Sequence, residues 1–276
     1  MRLLHLLILL FPVISHALPD TLPVPGGIVI LPVSTTADKP EVYFRKQQVM
    51  VVKDEQQWKA IIGLPLSMKA GKHKAMVRLK GKPAFSIAFT VNRKNYPEQH
   101  ITIKNKRMVN PDQYDMKRIH ADKKRIRKAL YHWRNTEQIQ LEFNKPVEGI
   151  YSSAFGLKRF FNKQARRPHS GLDIAASLGT PIRTPANGTV IETGDYFFNG
   201  KTIFIDHGQG LISMYCHLNR INVKTGQQLS QGEIMGEIGK TGRVTGSHLH
   251  WSVSLNRNMV DPSLFLKPSE RPQAQK

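Results

Sequence analysis

Alternating apolar and polar positions run through both ends of the chain, and one stretch of helical period separates them. In the first half, Ile28-Val29-Ile30-Leu31 and Gln48-Val49-Met50-Val51-Val52 are strand candidates. Ala75-Met76-Val77-Arg78-Leu79 and the run from Phe85 to Val91 alternate as half-buried strands do. Gly71 and Gly81-Lys82-Pro83 read as turns between them, and Trp58 with Ile61-Ile62-Gly63-Leu64 as core. Short strands at even spacing predict a small β-sandwich-like domain over residues 18–107. It carries no constellation of catalytic groups and reads as a binding or regulatory module.

Residues 108–140 change character. Met116, Ile119, Ile126, Leu130 and Trp133 fall at helical spacing, with Lys117, Arg118, Lys123, Lys124, Arg125, Arg127 and Lys128 around them. The pattern predicts an amphipathic linker helix packed on its apolar stripe, with a solvated basic face. Alternation returns from Leu141. Strands are expected at Thr189–Thr193, Thr202–Asp206, Leu211–Leu218, Glu233–Ile238 and Leu249–Leu255, with hairpin turns at Asn187-Gly188 and Asn199-Gly200. No helical period competes, so residues 141–267 read as a compact, mostly antiparallel β domain and 268–276 as a flexible tail. The chain as a whole is mostly β.

Composition changes this picture in three places. A length of 276 residues suits two ordinary domains, and 40% hydrophobic residues suit a globular chain. The formal charge of +21 points to an anionic partner. Arg2, the apolar run that follows it and Ser15-His16-Ala17 describe a secretory signal peptide over 1–17, cut after Ala17. No later segment is apolar enough to cross a bilayer. Export weakens nucleic acid as the partner and favours an anionic polymer of the envelope. The single cysteine, Cys216, excludes an intrachain disulfide and reads as a small buried hydrophobe.

The chemistry sits in the second half. Pro168-His169-Ser170-Gly171-Leu172-Asp173 offers an imidazole and a carboxylate on a turn entering a strand. Gly246-Ser247-His248-Leu249-His250-Trp251 puts two imidazoles on one face of an extended run. Two nitrogens and one oxygen, from His169, His250 and Asp173, are what an open zinc site requires, its remaining position carrying a reactive water. In the strand Leu211 to His217, alternation puts Tyr215 and His217 on one face and Met214 and Cys216 on the other. The apolar pair belongs to the core, so Tyr215 and His217 are expected to face the cleft. His207 ends a strand before a turn and reads as structural. Arg166, Arg167 and Arg243 border the site in sequence and could pair with substrate carboxylates.

His-Ser-Gly-Leu-Asp, Tyr-Cys-His-Leu and Gly-Ser-His-Leu-His-Trp, in that order, resemble the lysostaphin/LytM-type zinc metallopeptidases, which cut peptide bonds in bacterial peptidoglycan. The resemblance covers roughly 149–265 and is carried by the motifs in combination. It implies a zinc metallopeptidase domain with the metal on His169, Asp173 and His250, and catalytic imidazoles at His217 and His248. All five positions are filled, which argues for an enzyme over relatives that have lost ligands and act as non-catalytic activators. More weakly, residues before the helix resemble the β-rich domain that precedes such peptidases.

The expected function is therefore a periplasmic, zinc-dependent endopeptidase acting on peptidoglycan crosslinks, with the N-terminal domain as a possible intramolecular regulator. Two other readings compete: a wall-binding activator of another hydrolase on the same fold, and an adhesin or nucleic-acid binder working through the basic helix.

Overall fold

A computed structural model describes residues 18–273; the expected signal peptide and the last three residues lie outside them. Among the described residues the chain is mostly β, with the single α-helix at Gln113–Leu130. The helix is shorter than the basic stretch that predicts it. Asp112 caps its first turn by accepting from the backbone N–H of Asp115 at 2.8 Å.

The N-terminal half is two small sheets. Ile28–Ser34, Gln57–Gly63 and Met50–Asp54 form one, and Gln47–Gln48, Glu41–Phe44, Gly71–Arg78 and Phe85–Val91 the other. Between them Val29, Val51, Trp58, Ile62, Val77 and Val91 are buried together. Gly71 opens a strand rather than making a turn, while the expected turn at residues 80–82 is present. The first sheet is apolar on both faces for a physical reason. Ile28, Met50, Val52 and Ile61 point away from the sandwich and join the core of the C-terminal half. At the seam Gly63 leaves no room for a side chain: a Cβ there would lie 2.6 Å from the Leu255 carbonyl oxygen. Gln209 reaches across too, accepting from the Val51 N–H at 2.9 Å and donating to its carbonyl at 3.1 Å. The halves therefore share one apolar core.

The C-terminal half is built on a large sheet. Its strands run Gln228–Leu229, Gly188–Tyr196, Gly200–Gly208, Leu211–Leu218, His248–Leu255, Leu172–Ala175 and Ile150–Ser153, all paired antiparallel. Asn199 belongs to the expected hairpin turn, but Asn187-Gly188 does not: Gly188 opens a strand that pairs with Gly200–Gly208, not with the preceding Pro181–Arg183. One face of the sheet carries Tyr215, Leu249, Trp251 and Ile174 into the shared core. On the opposite face Ile212, Met214 and Cys216 pack with Ala129 of the helix and with Tyr196 and Phe204.

Two expectations give way here. Tyr215 does not face a cleft: it is fully buried in the core, with its hydroxyl donating to Ser213 Oγ at 2.8 Å. Nor are residues 268–271 of the expected tail loose. Glu270 accepts from the Lys145 N–H at 2.9 Å, and Arg271 donates to the Leu266 carbonyl at 3.0 Å and pairs with Asp20.

One further sheet places a wall beside the site. Glu98–Ile101, at the end of the N-terminal half, pairs parallel with Lys158–Phe161. This four-residue strand is too short and polar to leave a periodic signal in the sequence.

Candidate metal centre and active site

The site stands at one end of the large sheet, where three strands bring polar side chains into register. Asp173 pairs directly with His250, and His250 with Cys216. Residues directly opposite in an antiparallel pair share a face, so Asp173 and His250 emerge together while Leu172, Ile174, Leu249 and Trp251 enter the core. His169 precedes its strand on a turn tied back by two backbone bonds, from its N–H to the Leu157 carbonyl and from the Gly156 N–H to its own.

His169 Nε2, His250 Nδ1 and Asp173 Oδ1 form a triangle with sides of 2.9, 2.7 and 3.0 Å. The far atom of each imidazole is already engaged. His169 Nδ1–H donates to the Ala154 carbonyl at 2.6 Å, which leaves Nε2 as a lone pair. His250 Nε2 lies 3.0 Å from Ser252 Oγ. Two imidazole nitrogens and one carboxylate oxygen thus converge on one point in a buried pocket, where they could hold a cation. Burial pushes His169 down to about 4, which favours the neutral ring. Burial alone would raise the Asp173 carboxyl, but the His169 and His250 imidazoles beside it outweigh burial and hold the group well below its usual range. The donor set and its geometry fit a metal ion.

His217 and His248 stand over this group. Their rings are 5.0 Å apart, and His217 is 6.0 Å from His250. His217 Nδ1–H donates to the Thr241 carbonyl at 2.8 Å and His248 Nδ1–H to the Gly246 carbonyl at 2.9 Å, so in a neutral ring Nε2 is the nitrogen left to accept. Burial, with His250 and His248 adding to it, lowers His217 well below the ordinary imidazole value. Alternation along Leu211–Leu218 puts His217 opposite Cys216, yet both lie on the site face. The cause is local: His217 has φ +69, a left-handed conformation that interrupts the alternation at that residue. Burial pushes the Cys216 thiol up to about 12, which leaves it an unreactive hydrophobe. His207 is buried elsewhere, between the Asn187 carbonyl and Ser213 Oγ.

Arg159 joins the site without a signal in the sequence. Its Nη2 donates to Asp173 Oδ2 at 2.7 Å and its Nε to Gln99 Oε1 at 2.9 Å, and Gln99 and Ser153 are hydrogen-bonded to each other. In a run of Lys-Arg-Phe-Phe such a residue looks like any surface cation; only the pairing of Lys158–Phe161 with Glu98–Ile101 brings it inward. A cleft of about 320 Å³ opens over the site, lined by His217, His248, Asp173, Arg159, Arg243 and the wall residues Gln99, Ile101 and Ile103. Arg167 is exposed and outside it.

Both halves of the chain are similar to known proteins. Residues 167–262 match the model of peptidase family M23, and residues 21–94 match that of the peptidase family M23 N-terminal domain. A crystal structure of a peptidase M23 protein from Pseudomonas aeruginosa superposes with a TM-score of 0.76 at 41% identity, covering 89% of this chain and 95% of that one. The chain belongs to peptidase family M23. Curated M23 relatives include the peptidoglycan DD-endopeptidase ShyA of Vibrio cholerae, 38% identical over 135 residues, which is 48% of this chain and 31% of ShyA. The DD-carboxypeptidase/endopeptidase Mpg of Neisseria meningitidis is 36% identical over 126 residues, 45% of this chain and 29% of Mpg. The chain thus aligns with under a third of each of these relatives.

Proposed function

We propose that this M23 protein is a zinc-dependent endopeptidase that hydrolyses peptide crosslinks of peptidoglycan in the periplasm. The observation that carries the reading is the convergence of His169, Asp173 and His250 beneath two imidazoles whose Nε2 lone pairs share one cleft. Histidine and carboxylate donors without a thiolate suit zinc in an open, three-ligand site. Bound zinc supplies a Lewis acid that polarises a carbonyl and acidifies water.

The protein's own part is to place acceptors and donors. His217, neutral and fixed through Nδ1, accepts a hydrogen bond from the attacking water at Nε2 and orients it. His248 is the more exposed of the two, with Nε2 4.0 Å from Asp173 Oδ1. It takes at Nε2 the proton that the attacking water gives up and passes it to the departing amine. In each neutral ring the Nδ1–H bond, to Thr241 or Gly246, leaves Nε2 as the accepting nitrogen. The N-terminal half enters the reading through Gln99, Ile101 and Ile103, which limit access from one side of the cleft.

The envelope location rests on the signal-like start and the relatives' substrate; among the described residues no helix is long and apolar enough to cross a membrane. Purified sacculi digested with the wild type, with His248→Ala and with the wild type plus chelator test the proposal. Uncrosslinked muropeptides should appear in the first digest alone. Equal product from all three would remove it.

A further inference from the structure

The cleft holds more positive charge than hydrolysis requires. Arg243 lies on the loop before His248, two residues after Thr241, whose carbonyl fixes His217. Its guanidinium is held between the rings of Phe161 and Phe198, 4.5 and 4.3 Å from their centroids. Among the described residues its side chain makes one hydrogen bond, from Nη1 to the Met108 carbonyl at 3.3 Å. No carboxylate among the described residues pairs with it.

Its neighbours do not balance it. Arg166 donates only to neutral oxygens, those of Val109, Ala165, Asn110 and Gln164. Arg159 is committed to Asp173. Among the described residues Asp173 is the sole acid lining the cleft, and Arg159 and two imidazoles already surround it. On its other side Arg243 borders a second hollow of about 340 Å³, lined by Lys104 and by no acid. Burial, with the charges of Arg159 and Arg166 adding to it, lowers Arg243 to about 10. A desolvated cation without a counter-charge is costly by itself. This one is held in place by two aromatic plates, with donors left unpaired, at the edge of the space where a substrate must lie.

We propose that Arg243 forms a carboxylate subsite of the cleft, which takes a free carboxylate carried by the bound peptide. A planar guanidinium presents paired N–H groups that match both oxygens of such a group. The ring clamp fixes the plane in advance, so little freedom is lost on binding. The inference rests on the endopeptidase reading for its substrate class, but it can fail separately.

The test uses two crosslinked peptides that differ only in that one carboxylate, free in the first and a carboxamide in the second. Their binding to zinc-loaded His248→Ala is measured by calorimetry, and their cleavage by the chain with His248 intact is followed in parallel. The acid form should bind about tenfold tighter or better, the scale of a hydrogen bond to a charged group. Adding Arg243→Gln should abolish that preference, and Arg243→Lys should retain part of it. If circular dichroism shows Arg243→Gln unfolded, Arg243→Met, which keeps an apolar stem between the rings, takes its place. Equal binding of the two peptides, or a preference that survives loss of Arg243, overturns the subsite. An Arg243-dependent preference with neither peptide cleaved would uphold the subsite and remove the endopeptidase reading.

Discussion

The left-handed backbone at His217 makes a prediction whose sign is unusual. Replacing His217 by alanine or by glycine removes the same imidazole, the same bond to Thr241 and nearly the same packing. The two variants differ in the Cβ alone. At φ +69 that Cβ crowds the backbone at a cost of about 1–2 kcal/mol. Against this, glycine gains more freedom on unfolding, roughly 0.4–1 kcal/mol relative to alanine. The backbone term is the larger, so His217→Gly should be more stable than His217→Ala by about 1 kcal/mol. Elsewhere in a strand interior the order is reversed. Urea unfolding of the two metal-loaded variants measures the difference as a shift in midpoint at constant slope. Both should be inactive on sacculi. An alanine variant as stable as the glycine variant would refute the claim that local strain delivers this imidazole to the site.

A Cβ on Gly171 would meet the Trp251 carbonyl oxygen at 2.5 Å, Ser252 Oγ at 2.6 Å and His250 Cε1 at 2.7 Å. Gly171→Ala should therefore displace His250, lowering zinc affinity about tenfold or more in a chelator competition; unchanged affinity would count against that packing. Gly63→Ala, which forces the Leu255 carbonyl away from the seam between the halves, should cost about 1–3 kcal/mol in urea unfolding and lower one shared transition rather than split it. His207, lowered by burial to about 4, binds its proton more readily unfolded than folded. Its contribution is whole above about pH 6.5 and is lost as pH falls toward 4, at about 1.4 kcal/mol per pH unit. His207→Gln should flatten that part of the stability–pH curve by about 3 kcal/mol in all; an unchanged curve would show that His207 does not titrate there.

Much of the fold was legible where one rule governs a segment. Phe85–Val91 and Leu211–Leu218 occupy the residues that their patterns mark out. Leu249 and Trp251 turn inward while His248 and His250 turn outward, as a period of two requires. The rule fails where its premise does. Leu211–Leu218 is buried on both faces, so polarity could not say which face meets the site, and Tyr215 went to the core. At His217 one positive φ cancels the parity on which the assignment rested. Arg159 and Gln99 were out of reach because their meeting depends on a parallel pairing of residues about sixty positions apart. The N-terminal half looked like a separate module since its own sandwich pattern is complete; that its first sheet is apolar on the outer face as well, through Ile28, Met50 and Ile61, is what joins it to the rest.

Metal content decides the central claim. Mature protein reconstituted with excess zinc, desalted and analysed by mass spectrometry for metal should carry one zinc per chain. His169→Ala, Asp173→Ala and His250→Ala should each carry far less while folded by circular dichroism, and His217→Ala and His248→Ala should keep it. A folded wild type that retains no zinc, or ligand variants that retain all of it, would contradict the account.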